Sequence, residues 1–296
     1  MQLRSSILGA LVVLGVVAAQ AAAGGSAAER WIVFSALPKG LPPAQLFRIQ
    51  TSGSGLEQIT SGTSNPATQP AFSPDGTHVV FARLGTGIFV MNLDGSGLRR
   101  LTSGARDSYP VWSPNGKRIA FLRVYRTAWR LYTMNASGKS QQRLPLAPPS
   151  GRPSWTADSK SIFVPVVGGL VRIDARTGRL QKRFTLAVDL ATSQAATLAP
   201  NSQKVAWVGP AHAQGPPECG EVACAAFALY LANVPGRARL LVRGTGPAGW
   251  SPDGKTLVFV YRGALNLWPV AGGERTSITT DKDVPAGDAP PAWQPR

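Results

Sequence analysis

The side chains able to do chemistry are few in this 296-residue chain, and their spacing argues against most enzyme classes. There are two histidines, His78 and His212, and two cysteines, Cys219 and Cys224. A metal-dependent lyase or lactonase gathers several converging His, Asp, Asn or Glu ligands, and two distant histidines are a thin start on such a set. The cysteines stand in Glu218-Cys-Gly-Glu-Val-Ala-Cys224. With His212, Glu218 and Glu221 they would supply a full ligand set for a metal, but the spacing matches no zinc pattern. A local disulfide closing the loop in an oxidising compartment is the favoured reading. No Gly-x-Ser-x-Gly elbow occurs, so a serine hydrolase has no nucleophile to build on. No metal or other cofactor is expected.

What does recur is a turn. Ser73-Pro-Asp-Gly76 returns as Ser113-Pro-Asn-Gly116 and Ser251-Pro-Asp-Gly254, with degraded copies Thr156-Ala-Asp-Ser159 and Ala199-Pro-Asn-Ser202 between them. The steps are 40, 43, 43 and 52 residues, the longest holding the cysteine loop as an insertion. Ser suits the first position of a type I turn, Pro presets φ at the second, Asp or Asn fits the third, and Gly accepts the φ > 0 that follows. Asp75, Asn115 and Asp253 are therefore read as turn residues satisfying local amides, and not as a ring of metal ligands.

An aromatic residue or Leu precedes every turn: Phe72, Trp112, Trp155, Leu198 and Trp250. After each turn comes a β-rich run, such as 78–83, 118–123, 161–164, 204–208 and 256–260, then a third run and a short fourth. Four antiparallel strands per period of about 43 residues make one propeller blade. The chain enters mid-repeat, with Arg30-Trp-Ile-Val-Phe34 as a second strand. The missing first strand is Pro291-Ala-Trp-Gln-Pro295, whose Trp293 lies 43 residues after Trp250. One blade is thus expected to be built from both ends, closing a ring of six and removing its open edges. The fold class expected is all-β, a six-bladed propeller over 24–296.

The innermost strand of each blade lines the central channel. Five residues before each aromatic position stand Ala67, Asp107, Ser150, Ser193, Thr245 and Asp288, with Tyr109 and Arg152 close by. Asp107, Tyr109, Arg152 and Asp288 are the expected ligand-binding residues of one channel mouth, suited to a cation or a peptide terminus. A second candidate surface is basic. Arg172, Arg176, Arg179, Lys182 and Arg183 fall on the third and fourth strands of one blade, toward the outer rim. Basic residues on an exposed edge also block edge-to-edge pairing.

Lys and Arg outnumber Asp and Glu by 31 to 15, a formal charge of +16 that attracts anionic polymers or membrane surfaces. Nucleic-acid binding would want aromatics interleaved with the charge, whereas the Trp and Phe residues here occupy repeat core positions. At the N-terminus, Arg4, the apolar run 7–19 and the small residues 19–23 have the order of a secretory signal peptide, cleaved near Ala21 or Ala23. The apolar run is shorter than the roughly 20 residues of a spanning helix.

The unit Pro-x-Trp-Ser-Pro-Asp/Asn-Gly-Lys-x-Ile-Ala-Phe, then Tyr/Phe-x-Met-Asn, then Gly-x-x-Arg-Leu-Thr resembles the WD40-like repeat of TolB-family proteins. Residues 109–121 and 250–259 carry it best, and similar segments cover 30–296. The stretches 151–185 and 196–242 depart from the turn motif. The resemblance implies a six-bladed, often extracytoplasmic propeller used for protein–protein contact at the bacterial envelope. It does not extend to the α/β domain that precedes the propeller in TolB. The function expected is an exported, monomeric, non-enzymatic scaffold for an envelope or extracellular protein or an anionic cell-surface polymer. The alternative is a propeller enzyme of lyase or lactonase type using channel-mouth residues with a divalent metal.

Overall fold

The computed structural model describes residues 29–38, 43–62, 64–167, 169–184, 195–200, 204–210, 227–233, 238–243, 245–279 and 290–295. The leader, the cysteine pair, His212, Ser193 and Asp288 lie outside them. The described strands form six four-stranded antiparallel sheets, the blades of a six-bladed β-propeller. Among the described residues no helix is long and apolar enough to cross a membrane.

Blade 1 joins Ala292–Trp293 to Trp31–Ala36, Gln45–Gln50 and Glu57–Gln58. Blade 2 runs outward from Ala67–Phe72 through His78–Arg83 and Gly87–Asn92 to Arg99–Arg100, and blade 3 from Asp107–Trp112 through Arg118–Tyr125 and Ala128–Asn135 to Gln142–Arg143. Blade 4 is Ser154–Trp155, Ser161–Val166, Gly169–Asp174 and Leu180–Phe184. Blade 5 is Ala195–Leu198, Lys204–Pro210, Phe227–Asn233 and Ala238–Arg243, and blade 6 is Thr245–Trp250, Thr256–Tyr261, Ala264–Pro269 and Thr276–Ser277.

The second strands read as nearly continuous apolar runs because each blade is covered on both faces. Side chains alternate along a strand, so Val79 and Phe81 pack on Val33 and Leu46 of blade 1, while Val80 faces Ile119 and Phe121 of blade 3. The same alternation fills the remaining interfaces. Leu122 meets Ile162 between blades 3 and 4, and Phe163 meets Trp207 between 4 and 5. Leu229 meets Phe259 between blades 5 and 6, and Val258 meets Phe34 across the last interface.

The seam closes as the repeat count requires. Ile32 pairs with Trp293 and Val33 with Ala292. The Gln294 amide N–H donates to the Trp31 carbonyl at 2.8 Å. The Gln294 side chain accepts from the Trp31 N–H at 3.2 Å and donates to the Gly76 carbonyl at 3.1 Å, tying blade 1 to the turn of blade 2. On the other flank, a Cβ at Gly249 would stand 2.2 Å from the Pro291 carbonyl oxygen, so the backbones of blades 6 and 1 approach as closely as only glycine permits.

The recurring turns use one hydrogen-bond circuit. Ser73 Oγ accepts from the His78 N–H at 2.9 Å, and Asp75 Oδ1 accepts from the Ser73 hydroxyl and from the Thr77 N–H. The circuit repeats at Ser113-Asn115-Arg118 and Ser251-Asp253-Thr256. Thr156-Ala-Asp-Ser159 preserves it too, with Thr156 for Ser and with Ser159 at φ 60° where the three Ser-Pro copies have glycine. The Asp carboxylates are thus spent on the turn. The Ser73 hydroxyl and the Thr77 amide hold Asp75 below the usual carboxylate range.

Candidate functional site: the inner wall of the ring

The inner strands do not run straight. In blades 2, 3 and 6 the pairing with the second strand slips, between Thr68 and Ala71, Ser108 and Val111, and Thr245 and Ala248. An extra residue in one strand bends it and re-aims side chains. Gln69 and Tyr109 sit in these bulges at φ 57° and 53°, a left-handed conformation that non-glycine residues seldom adopt. Each stands three residues before its blade's aromatic position, and Arg152 holds the corresponding place in blade 4.

These three neighbours interact. The Tyr109 N–H donates to the Gln69 side-chain oxygen at 2.7 Å, binding blade 3 to blade 2. The Tyr109 ring packs edge-on to Trp129, with centroids 6.1 Å apart. Burial pushes its phenol above the usual range, against the opposing pull of the Arg152 charge and of a hydrogen bond with Gln69. The Arg152 guanidinium reaches past blade 3 to the Pro70 carbonyl of blade 2, at 3.5 Å, the long limit of a hydrogen bond. No carboxylate pairs with it among the described residues, and burial pushes its pKa down to about 10.

Below this layer, toward the Ser-Pro-Asp-Gly turns, the inner wall opens into a funnel of about 600 Å³. Trp112, Trp155, Trp250, Trp293, Phe72 and Leu198 wall it, turn prolines such as Pro74, Pro114 and Pro252 form its lip, and Arg152 contributes the charge. Pockets that take small ligands are usually apolar hollows of 300–1,000 Å³ with a few placed polar groups. Asp253 also borders the funnel, but Ser251 and the Lys255 N–H already hold its carboxylate. The indole N–H groups of Trp155 and Trp250 donate to carbonyls of the preceding blade, Val111 at 3.2 Å and Thr197 at 3.1 Å. Those of Trp112 and Trp293 are buried without an acceptor among the described residues.

Among the described residues, none of those five before an aromatic position (Ala67, Asp107, Ser150 and Thr245) borders this funnel. Asp107 is wholly buried, and both its oxygens are taken by Arg123, Nε to Oδ1 at 2.6 Å and Nη2 to Oδ2 at 2.7 Å. That bidentate pair holds the Arg123 pKa above its ordinary value. Gly104 seals the carboxylate from the outside, since a Cβ there would meet Oδ1 at 2.5 Å. Ala67 and Thr245 are buried as well, the Thr245 hydroxyl donating to the Val260 carbonyl at 2.7 Å. Of the four expected mouth residues, the structure brings together Tyr109 and Arg152 and buries Asp107 in an ion pair with the half-buried Arg123. Asp288 falls outside the described residues. Gln69 belongs with Tyr109 and Arg152 and escaped sequence reasoning, although its distance from Phe72 equals that of Arg152 from Trp155.

On the rim, Arg176, Arg179, Lys182 and Arg183 are exposed, while Arg172 is half-buried with its Nε lacking an acceptor among the described residues. The edges of the two preceding blades extend this basic arc. Arg99 and Arg100 in blade 2 and Arg143 in blade 3 are exposed, with Arg99 donating to the Ser137 carbonyl of blade 3 at 3.0 Å.

Fold and site define the class, a six-bladed propeller with an aromatic funnel at its turn face. The PD40 family, described as the TolB beta propeller domain, matches residues 24–161. That stretch, just under half of the chain, is similar to the TolB-like propeller repeat. A Tol-Pal system protein TolB from Zymomonas mobilis is 39% identical over 79 residues, covering 25% of this chain and 17% of its own. The matched stretch is thus under a fifth of that relative's length. The crystal structure of TolB from Acinetobacter baumannii superposes with a TM-score of 0.67 at 20% identity, covering 90% of this chain and 67% of that one. A chain of the nidogen/laminin complex does so at 0.64 and 12% identity, covering 90% and 98%. Likenesses at such low identity speak for the fold alone.

Proposed function

We propose that this protein is an extracytoplasmic, non-enzymatic binding scaffold that receives a protein partner at the funnel on its turn face. The observation that carries the reading is the funnel itself, an aromatic and proline-lined hollow with one cation unpaired among the described residues. Exposed apolar hollows of this kind mark interaction sites. The TolB relatives support the reading, being named as proteins of the Tol-Pal system. The proposed address rests on the signal-like segment 1–23. The basic arc of blades 2 to 4 is proposed as a secondary contact with anionic envelope polymer.

A photo-crosslinking side chain at Pro74 or Pro114 is expected to capture one discrete protein in native cells, while the same group at Arg183 on the outer rim does not. Equal capture from both positions, or none from the funnel lip, sinks the reading. The polymer contact predicts retention on isolated envelope that falls as salt rises from about 0.05 to about 0.5 M, roughly as the screening length shortens. The competing lyase or lactonase reading needs channel carboxylates free to hold a metal, and Asp107 is engaged by Arg123. Stoichiometric divalent metal in the purified protein would favour it.

A further inference from the structure

The cation facing the funnel has no counter-ion among the described residues, and that imbalance points to a ligand. A buried charge is normally paired or fully hydrogen-bonded, because removing it from water costs several kcal/mol. Arg152 is half-buried and has one long contact to the Pro70 carbonyl, with no carboxylate or second acceptor for its guanidinium among the described residues. Its side chain keeps a surface toward the funnel. Arg123, one blade away, shows what this fold does with an arginine meant only to brace the wall: it supplies a carboxylate in bidentate geometry.

Resting on the funnel reading above, we infer that Arg152 is the receptor for a carboxylate, borne by a small acid or by a chain terminus, whose apolar body lies against the tryptophan wall. A single guanidinium offers one planar fork, which matches the two oxygens of one carboxylate. The body of the ligand would meet Trp155, Trp250 and Trp293 and the lip prolines, which line the same hollow. Tyr109, neutral at physiological pH and tied to Gln69, stands beside the guanidinium as a second polar neighbour. The funnel volume of about 600 Å³ suits a ligand of one or two rings or a two-residue chain end.

Quenching of the intrinsic tryptophan fluorescence of the full chain reads occupancy directly. Benzoate is to be compared with benzamide, and a dipeptide ending in phenylalanine as free acid with its C-terminal amide. Saturable quenching by at least one free acid, at least tenfold tighter than its amide, is expected, and the tighter of the two acids identifies the source. Arg152→Met should weaken that acid at least tenfold, with an unchanged melting temperature or a higher one showing that the ring is intact. Arg152→Gln serves in its place if the methionine variant does not fold. Acid and amide of equal affinity, no saturable quenching by either acid, or unaltered binding in the variant would overturn the inference. The scaffold reading fails separately. Loss of the lip crosslink in otherwise wild-type protein removes it, while a crosslink that survives Arg152→Met alongside failed acid binding removes only the carboxylate.

Discussion

Blades 3 and 4 each bring an arginine and a tryptophan to the inner part of the ring and satisfy them in opposite ways. In blade 3 the arginine is paired, Arg123 with Asp107, while the Trp112 indole N–H has no acceptor among the described residues. In blade 4 the indole N–H of Trp155 is bonded to Val111, while Arg152 has no counter-ion among the described residues. In the reading proposed above, similar repeats sharing one architecture divide bracing from receiving. The pair in blade 3 holds strands together behind a sealed surface. Arg152 in blade 4 borders the funnel with no carboxylate beside it among the described residues.

The contrast can be broken or sharpened by mutation. The largest effect is expected from Asp107→Ala, which leaves Arg123 with an unmatched, partly buried charge. A loss of about 3 kcal/mol in denaturant unfolding is expected, and a loss below about 1 kcal/mol would mean that the pair braces nothing. Adding Arg123→Met to that variant should recover about 2 kcal/mol, because the two side chains act as a unit and a double-mutant cycle exposes their coupling. Arg152→Met is expected to move the other way, raising stability by about 1 kcal/mol as an unpaired charge gives way to an apolar chain. A clear destabilisation would show that Arg152 braces the wall as Arg123 does.

Smaller effects test the tryptophans and the proton. Trp155→Phe should cost about 1 kcal/mol more than Trp112→Phe, the worth of one hydrogen bond, with equal costs erasing the distinction between the blades. The folded-state pKa of Arg152 lies at about 10, below the ordinary arginine value. Above about pH 10 the unfolded chain binds more protons than the folded one, so its contribution to stability grows as pH rises and is lost as pH falls through about 10. The stability advantage of Arg152→Met over wild type should accordingly shrink from about pH 9.5 to about pH 11.5, and a gap that stays constant would remove the buried charge as its cause.

Much of the architecture was legible in the residues because it depends on local chemistry repeated at a fixed interval. Ser-Pro-Asp-Gly announces its own turn, and the even step from Trp250 to Trp293 required the last strand to complete the first blade, as the pairing of Ile32 with Trp293 confirms. The inner wall was harder to read. Counting back from the aromatic positions assumes a regular strand, but the bulges at Gln69 and Tyr109 insert a residue. The insertion changes which side chains meet the channel and what Asp107 faces. Its partner lies in the second strand, at the place where blade 2 has Arg83, and only the slipped register brings Arg123 opposite Asp107. The funnel was likewise expected at the first residues of the inner strands. Of these, Ala67, Asp107 and Thr245 are buried, and the hollow lies at the far end, lined by bulky rings and prolines.

The seam between Ile32 and Trp293 also bears on how the molecule is made. More than 250 residues separate those partners along the chain, and contacts so distant in sequence form late and slow folding. Until Ala292–Trp293 pairs with the first blade, that blade has an open edge, and Ile32 and Phe34 lack the blade 6 neighbours that bury them until the ring is complete. Before that pairing the chain is an open arc with two unpaired edges. Its vulnerability to aggregation is greatest in the moments before the circle shuts.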